Sequence, residues 1–130
     1  MIKKLCAIVA LALIISCSLD HSNPLDPENS GIEAPSEVTG IQVSFSAPNH
    51  VSISWNPKTY VDGYFLYRSF SEDGLYDLFV DLENSISSYS DETISQNYKI
   101  WYKVSAYIFI DEEENDYLEG YRSAPKTWNN

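Results

Sequence analysis

Ile41, Val43 and Phe45 alternate with polar residues, and the same alternation resumes at Val51, Ile53 and Trp55. A period of two sends successive side chains to opposite faces of an extended chain, so each run reads as a half-buried antiparallel strand. Ala47-Pro48-Asn49-His50 lies between the runs as a turn, and Asn56-Pro57 ends the second. Gly63 to Arg68 is a third run, closed by the turn signal Ser71-Glu72-Asp73-Gly74. Tyr76 to Leu82 is a fourth, and Ser87 to Ser90, around Tyr89, a short fifth. The longest spans Lys99 to Ile110, with Ile100, Tyr102, Val104, Ala106 and Ile108 on one face, and Tyr121 to Trp128 is the last. About seven short strands with regular turns predict an all-β sandwich. Its expected core is Ile53, Trp55, Tyr64, Leu66, Leu78, Tyr89, Ile94, Tyr102, Val104 and Ala106.

The beginning of the chain has a different character. Lys3 and Lys4 precede an uninterrupted apolar run from Leu5 to Ile15, short of the roughly 20 residues a spanning helix needs. Ile14-Ile15-Ser16-Cys17 closes it and resembles the bacterial lipobox, in which the cysteine thiol becomes a thioether to diacylglycerol. The resemblance implies a signal peptide over 1–16, cleavage before Cys17, and a diacylglycerol and an N-acyl chain on that residue. It implies no other cofactor. The competing readings are a plain secretory signal and a transmembrane anchor. One acyl chain holds a protein to a membrane only marginally, whereas several on one residue anchor it stably. Ser18 in place of Asp implies outer-membrane sorting in a two-membrane organism, and otherwise the outer face of the cytoplasmic membrane. Residues 17–33 read as a tether: Asn23-Pro24-Leu25-Asp26-Pro27 is rich in turn formers, lacks periodicity, and looks like segments that follow the lipidated cysteine of other lipoproteins.

Cys6 and Cys17 are the two cysteines, so cleavage leaves one and no intramolecular disulfide. Loss of Lys3 and Lys4 leaves 6 of the 8 basic residues against 19 acidic ones, taking the formal charge from −11 to −13. That balance argues against nucleic acid, whose phosphates need Lys and Arg, and against attraction to anionic lipid. It favours solubility and cationic partners.

From Ala34 to Trp128 the residues resemble the fibronectin type III family. The likeness rests on Ala34-Pro35, on Val51-Ser52-Ile53-Ser54-Trp55, and on Val61-Asp62-Gly63-Tyr64-Phe65-Leu66-Tyr67-Arg68-Ser69. Ser88-Tyr89-Ser90-Asp91 and Tyr102-Lys103-Val104-Ser105-Ala106 continue it. It implies one domain over 34–130, a seven-stranded Greek-key sandwich. The first, second and fifth strands would face the third, fourth, sixth and seventh. One departure stands out: the family's corner tyrosine falls at Ile100, a lost hydroxyl bond of about 1 kcal/mol. Ile94 keeps the apolar part of that corner, and Tyr98 is the candidate for a substitute contact.

Two features could meet a partner. Phe65, Tyr67, Trp101, Tyr107 and Phe109 share the outer face of one sheet, an expected aromatic platform for a protein or a sugar ring. The plainer reading of the same residues is cross-strand aromatic pairing. Asp111, Glu112, Glu113, Glu114 and Asp116 would form an enlarged acidic loop before the last strand, either a solvated tip or a contact for a basic partner. Their spacing is not that of a calcium loop, and no metal site is expected. Neither His21 nor His50 has Cys or Glu at metal-set spacing, and no serine elbow or other catalytic motif is present. The expectation is a non-catalytic, lipid-anchored interaction module of the envelope or cell surface, with no nucleic acid partner. The alternatives are a carbohydrate-binding accessory lipoprotein and a structural or assembly lipoprotein.

Overall fold

The computed structural model describes residues 31–95 and 97–129. The signal segment 1–16, Cys17 and the tether as far as residue 30 lie outside the described residues. Seven strands follow one another: β1 (Gln42–Ser46), β2 (His50–Ser54), β3 (Gly63–Ser69), β4 (Asp77–Glu83), β5 (Ser88–Asp91), β6 (Trp101–Asp111) and β7 (Asp116–Glu119). They form two antiparallel sheets, β1-β2-β5 and β4-β3-β6-β7. The register follows the alternation: Ile53 lies between Val43 and Tyr89, and Leu66 opposite Val104. The core-facing apolar positions of neighbouring strands therefore share one face.

Between the sheets lie Val51, Ile53 and Trp55 from one side and Tyr64, Leu66, Tyr102, Val104 and Ala106 from the other. Val38, Val61, Ile94, Ile100 and Trp128 complete this core from outside the strands. Trp128 stacks on Phe45 at 5.3 Å and closes one end. Each large side chain contributes roughly 1.5–3 kcal/mol on burial.

Two expectations need correction. Leu78 is not in the core. A bulge sets Leu66 opposite Val80 but Tyr67 opposite Leu78, so Phe79 is the extra residue. Phe79 and Val80 then both pack on the core while Leu78 turns outward. The last strand is also not Tyr121–Trp128. It is β7, which returns directly from β6, and the chain beyond it only accompanies β6. Tyr102 and Lys126 exchange backbone hydrogen bonds of 2.8 and 2.9 Å, and Ser123 Oγ accepts the Val104 N–H at 3.0 Å. The N-terminal segment crosses at Gly120, where a Cβ would sit 2.1 Å from the Pro35 carbonyl oxygen, while Gly120 N–H still donates to the Ala106 carbonyl at 2.8 Å.

The corner before β6 is held by Asp91 rather than by the family's tyrosine. Ile100 is buried and apolar, while Tyr98 is exposed and edge-on to Phe70. The Asp91 carboxylate accepts from the Tyr102 hydroxyl (2.9 Å), Thr93 N–H (3.0 Å), the Thr93 hydroxyl (2.6 Å) and the Arg68 guanidinium (3.1 Å). Burial pushes this carboxyl up, but those donors outweigh it and hold it below the usual carboxylate range.

Candidate functional site

The expected aromatic platform is not exposed. Phe65, Tyr67 and Tyr107 are only 4, 5 and 5 % accessible, and Trp101 and Phe109 are half-buried. Phe65 stacks on Tyr107 at 4.3 Å, and Tyr117 from β7 closes edge-on to Phe65 at 5.1 Å. The Arg122 guanidinium lies 3.7 Å over Tyr67, and the Lys103 ammonium 4.4 Å over Tyr76. Glu119 accepts the Tyr67 (2.7 Å) and Ser105 (2.6 Å) hydroxyls, and Asp81 accepts that of Tyr107 (2.8 Å). The face is thus a second, smaller core with its hydroxyls satisfied. The cleft left between Phe65, Tyr107, Tyr117 and Leu78 is about 160 Å³, below the roughly 300 Å³ of a usual small-molecule site.

These contacts fix a pH signature. Burial, then Glu119, pushes the Tyr67 hydroxyl up to about 12. Burial with Asp91 raises Tyr102, and burial with Asp81 raises Tyr107. A phenol raised in the fold contributes stability that is complete below its unfolded pKa of about 10 and is lost as pH climbs toward the folded value. Alkaline titration followed by phenolate absorbance is expected to show Tyr67, Tyr102 and Tyr107 silent near pH 10 and ionising above it, together with unfolding.

The acidic run is a tight hairpin rather than an enlarged loop. Asp111 pairs with Asp116 across a four-residue turn. Asp111 Oδ1 accepts the N–H groups of Glu113 (3.0 Å) and Glu114 (3.2 Å), and Asn115 takes a left-handed φ of 54°. Glu112, Glu113 and Glu114 point to solvent. Among the described residues no cluster of three or more His, Cys, Asp or Glu could hold a metal ion.

A group of exposed apolar side chains lies elsewhere, at one end of the sandwich. The β1–β2, β3–β4 and β5–β6 connections meet there: Asn49 donates to the Glu92 carbonyl (3.0 Å) and Arg68 to the Thr93 hydroxyl (2.7 Å). Phe70 is 67 % accessible, Leu75 90 %, Leu78 53 % and Tyr98 59 %. Phe70 separates two grooves. One, about 430 Å³, is bounded by Leu75, Leu78, Phe79 and Asp77; the other, about 200 Å³, by Tyr98, Ile94 and Ile100.

The turn carrying Phe70 and Leu75 is fixed without them. Gly74 N–H donates to the Ser71 carbonyl (3.1 Å), Ser71 N–H to Ser69 Oγ (3.2 Å), and the Tyr76 hydroxyl to the Glu72 carbonyl (2.8 Å). Gly74 permits this closeness, since a Cβ there would sit 2.8 Å from Ser69 Oγ and displace it. Phe70→Ser and Leu75→Ser are accordingly expected to change stability by no more than about 0.5 kcal/mol in urea unfolding. No sequence period marks these residues, since they stand in turns.

The opposite end holds the 33–39 segment and the remaining connections, with Asn56 N–H on the Thr39 carbonyl (2.9 Å) and Asn84 on the Val61 carbonyl (3.1 Å). A cleft of about 540 Å³ lies there, and its rim is tied to itself by Lys58 Nζ on Ser36 Oγ at 2.7 Å.

The two sheets, their strand order and the apolar core agree with one known architecture. The fold is that of a fibronectin type III domain. A Fn3-like protein from Clostridium thermocellum matches at 24 % identity and a TM-score of 0.61, over 75 % of this chain and 94 % of that one. The FN1–FN3 domains of chicken CNTN1 match at 23 % and 0.59, over 73 % of this chain and 30 % of that one. An fn3 domain of human contactin 1 matches at 17 % and 0.55, over 74 and 78 %. No family model matches the chain, and no curated protein does. At these identities the likeness carries the fibronectin type III fold alone.

Proposed function

We propose that this chain is a non-catalytic envelope lipoprotein, anchored through acylated Cys17, whose fibronectin type III-like domain makes protein–protein contacts. The observation that carries the contact role is the exposed apolar end with Phe70, Leu75, Leu78 and Tyr98. Leaving large apolar side chains in water forgoes roughly 1.5–3 kcal/mol each, and a contiguous patch of them marks an interaction surface. The described N-terminal segment joins the domain at the opposite end from this surface. The lipobox and the basic, apolar leader support the anchor. Placement at the outer membrane, or at the outer face of a single membrane, follows from Ser18. The carbohydrate alternative is not favoured, because the buried Phe65, Tyr67 and Tyr107 offer a sugar no free ring face.

Mass spectrometry of the mature protein tests the anchor: an acylated N-terminal Cys17 is expected, and an unmodified cysteine or an uncleaved chain would refute it. Mild crosslinking in intact envelopes tests the contact role. A defined heteromeric adduct is expected, whereas monomer alone, repeatedly, would leave a structural spacer as the better account.

A further inference from the structure

We infer that the Phe70 end receives a polypeptide segment with one large apolar side chain flanked by Lys or Arg; this rests on the reading of that end as a contact surface. The groove between Phe70, Leu75, Leu78 and Phe79 is roomy enough for a Leu or Phe side chain. Its surroundings are mainly acidic, and the nearby Lys103 ammonium is engaged over the Tyr76 ring at 4.4 Å. Glu72 and Asp73 stand in the turn, and Asp77 lines the groove. The cation that borders it, Arg68, is already committed: its guanidinium lies 3.1 Å from Asp91 and 3.9 Å over the Phe79 ring. Lys99, beside Tyr98, turns toward Trp101 at 5.9 Å.

Charge decides among the occupants. A second copy of the mature chain would bring a formal charge of −13 (6 basic against 19 acidic residues) to an acidic border, and an anionic lipid surface is repelled in the same way. A basic apolar segment gains on both counts: its side chain is desolvated in the groove, and its flanking cations meet Glu72, Asp73 and Asp77. Because the turn is held by its own hydrogen bonds, binding orders little that is not already ordered, which removes a main cost of association.

A random-peptide phage library panned on the purified full-length lipoprotein in detergent micelles tests this. Enriched peptides are expected to carry an aromatic or aliphatic residue next to Lys or Arg. Their affinity should fall about tenfold or more from low to high salt, as the Debye length shrinks. Phe70→Ser or Leu75→Ser, each verified as folded by circular dichroism, should weaken them about tenfold or more. The triple change Glu72→Lys, Asp73→Lys and Asp77→Lys should transfer enrichment to acidic peptides. Enriched peptides that depend on Phe70 but are indifferent to charge would overturn the basic-partner inference and leave the contact surface standing. Peptides that ignore Phe70→Ser, or no enrichment, would overturn both.

Discussion

Asp91→Ala is expected to destabilise the domain by about 3–5 kcal/mol, a large share of the 5–15 kcal/mol that a domain of this kind possesses. Asp91 is inaccessible, and its carboxylate is the common acceptor for Tyr102, Thr93 and Arg68. Its removal strands a buried hydroxyl and leaves the Arg68 guanidinium, pinned over Phe79, without its counter-charge. For a domain of this size, each kcal/mol corresponds to roughly 4–8 °C in Tm, so thermal unfolding should move down by about 12 °C or more. Asp91→Asn keeps an acceptor oxygen and should lose less. The pH dependence has a fixed sign. A carboxyl held below its ordinary range contributes stability present above the unfolded pKa of about 4, and that stability is lost as pH falls through the folded value. Wild-type stability should therefore decline below about pH 4, and the acid limb of Asp91→Asn should be flatter. Equal acid limbs would mean that Asp91 does not carry the corner.

Phe65→Ala is expected to cost about 3–5 kcal/mol, the loss of a core aromatic, although Phe65 faces away from the space between the sheets. Its ring is covered by Tyr107 and Tyr117. A double-mutant cycle with Tyr107→Ala should give a coupling of about 0.5–1.5 kcal/mol beyond area burial, as for stacked aromatic pairs. Phe70 provides the control within the same protein: an aromatic of the same type, exposed, whose loss should leave urea unfolding nearly unchanged. If Phe65→Ala were as mild as Phe70→Ser, the outer face would be an open platform after all.

The contrast between Phe65 and Phe70 shows what the sequence could convey. Period two at Val51-Ile53-Trp55 and Tyr102-Val104-Ala106 was enough to place the strands and the main core, because one buried face forces one register. It could not show that Phe65 and Tyr67 are covered, since their cover (Tyr117, Arg122 and the β7 hairpin) arrives from more than fifty residues away. Nor could it place Leu78, Phe79 and Val80: three apolar residues in succession fit either face until a bulge chooses. The acidic run revealed its charge but not that Asp111 caps its own turn. Phe70, Leu75 and Tyr98 carry no period, so only the meeting of three connections at one end makes them a surface.

The most direct measurement of that surface is in vivo photo-crosslinking of the full-length chain, with the photoreactive residue at position 70 and, for comparison, at Tyr60. Tyr60 is more exposed than Phe70 but sits in the β2–β3 connection at the other end. The account predicts a discrete polypeptide adduct from position 70, diminished by Leu75→Ser and absent from position 60. No adduct at 70, or the same adducts from both positions, would contradict it.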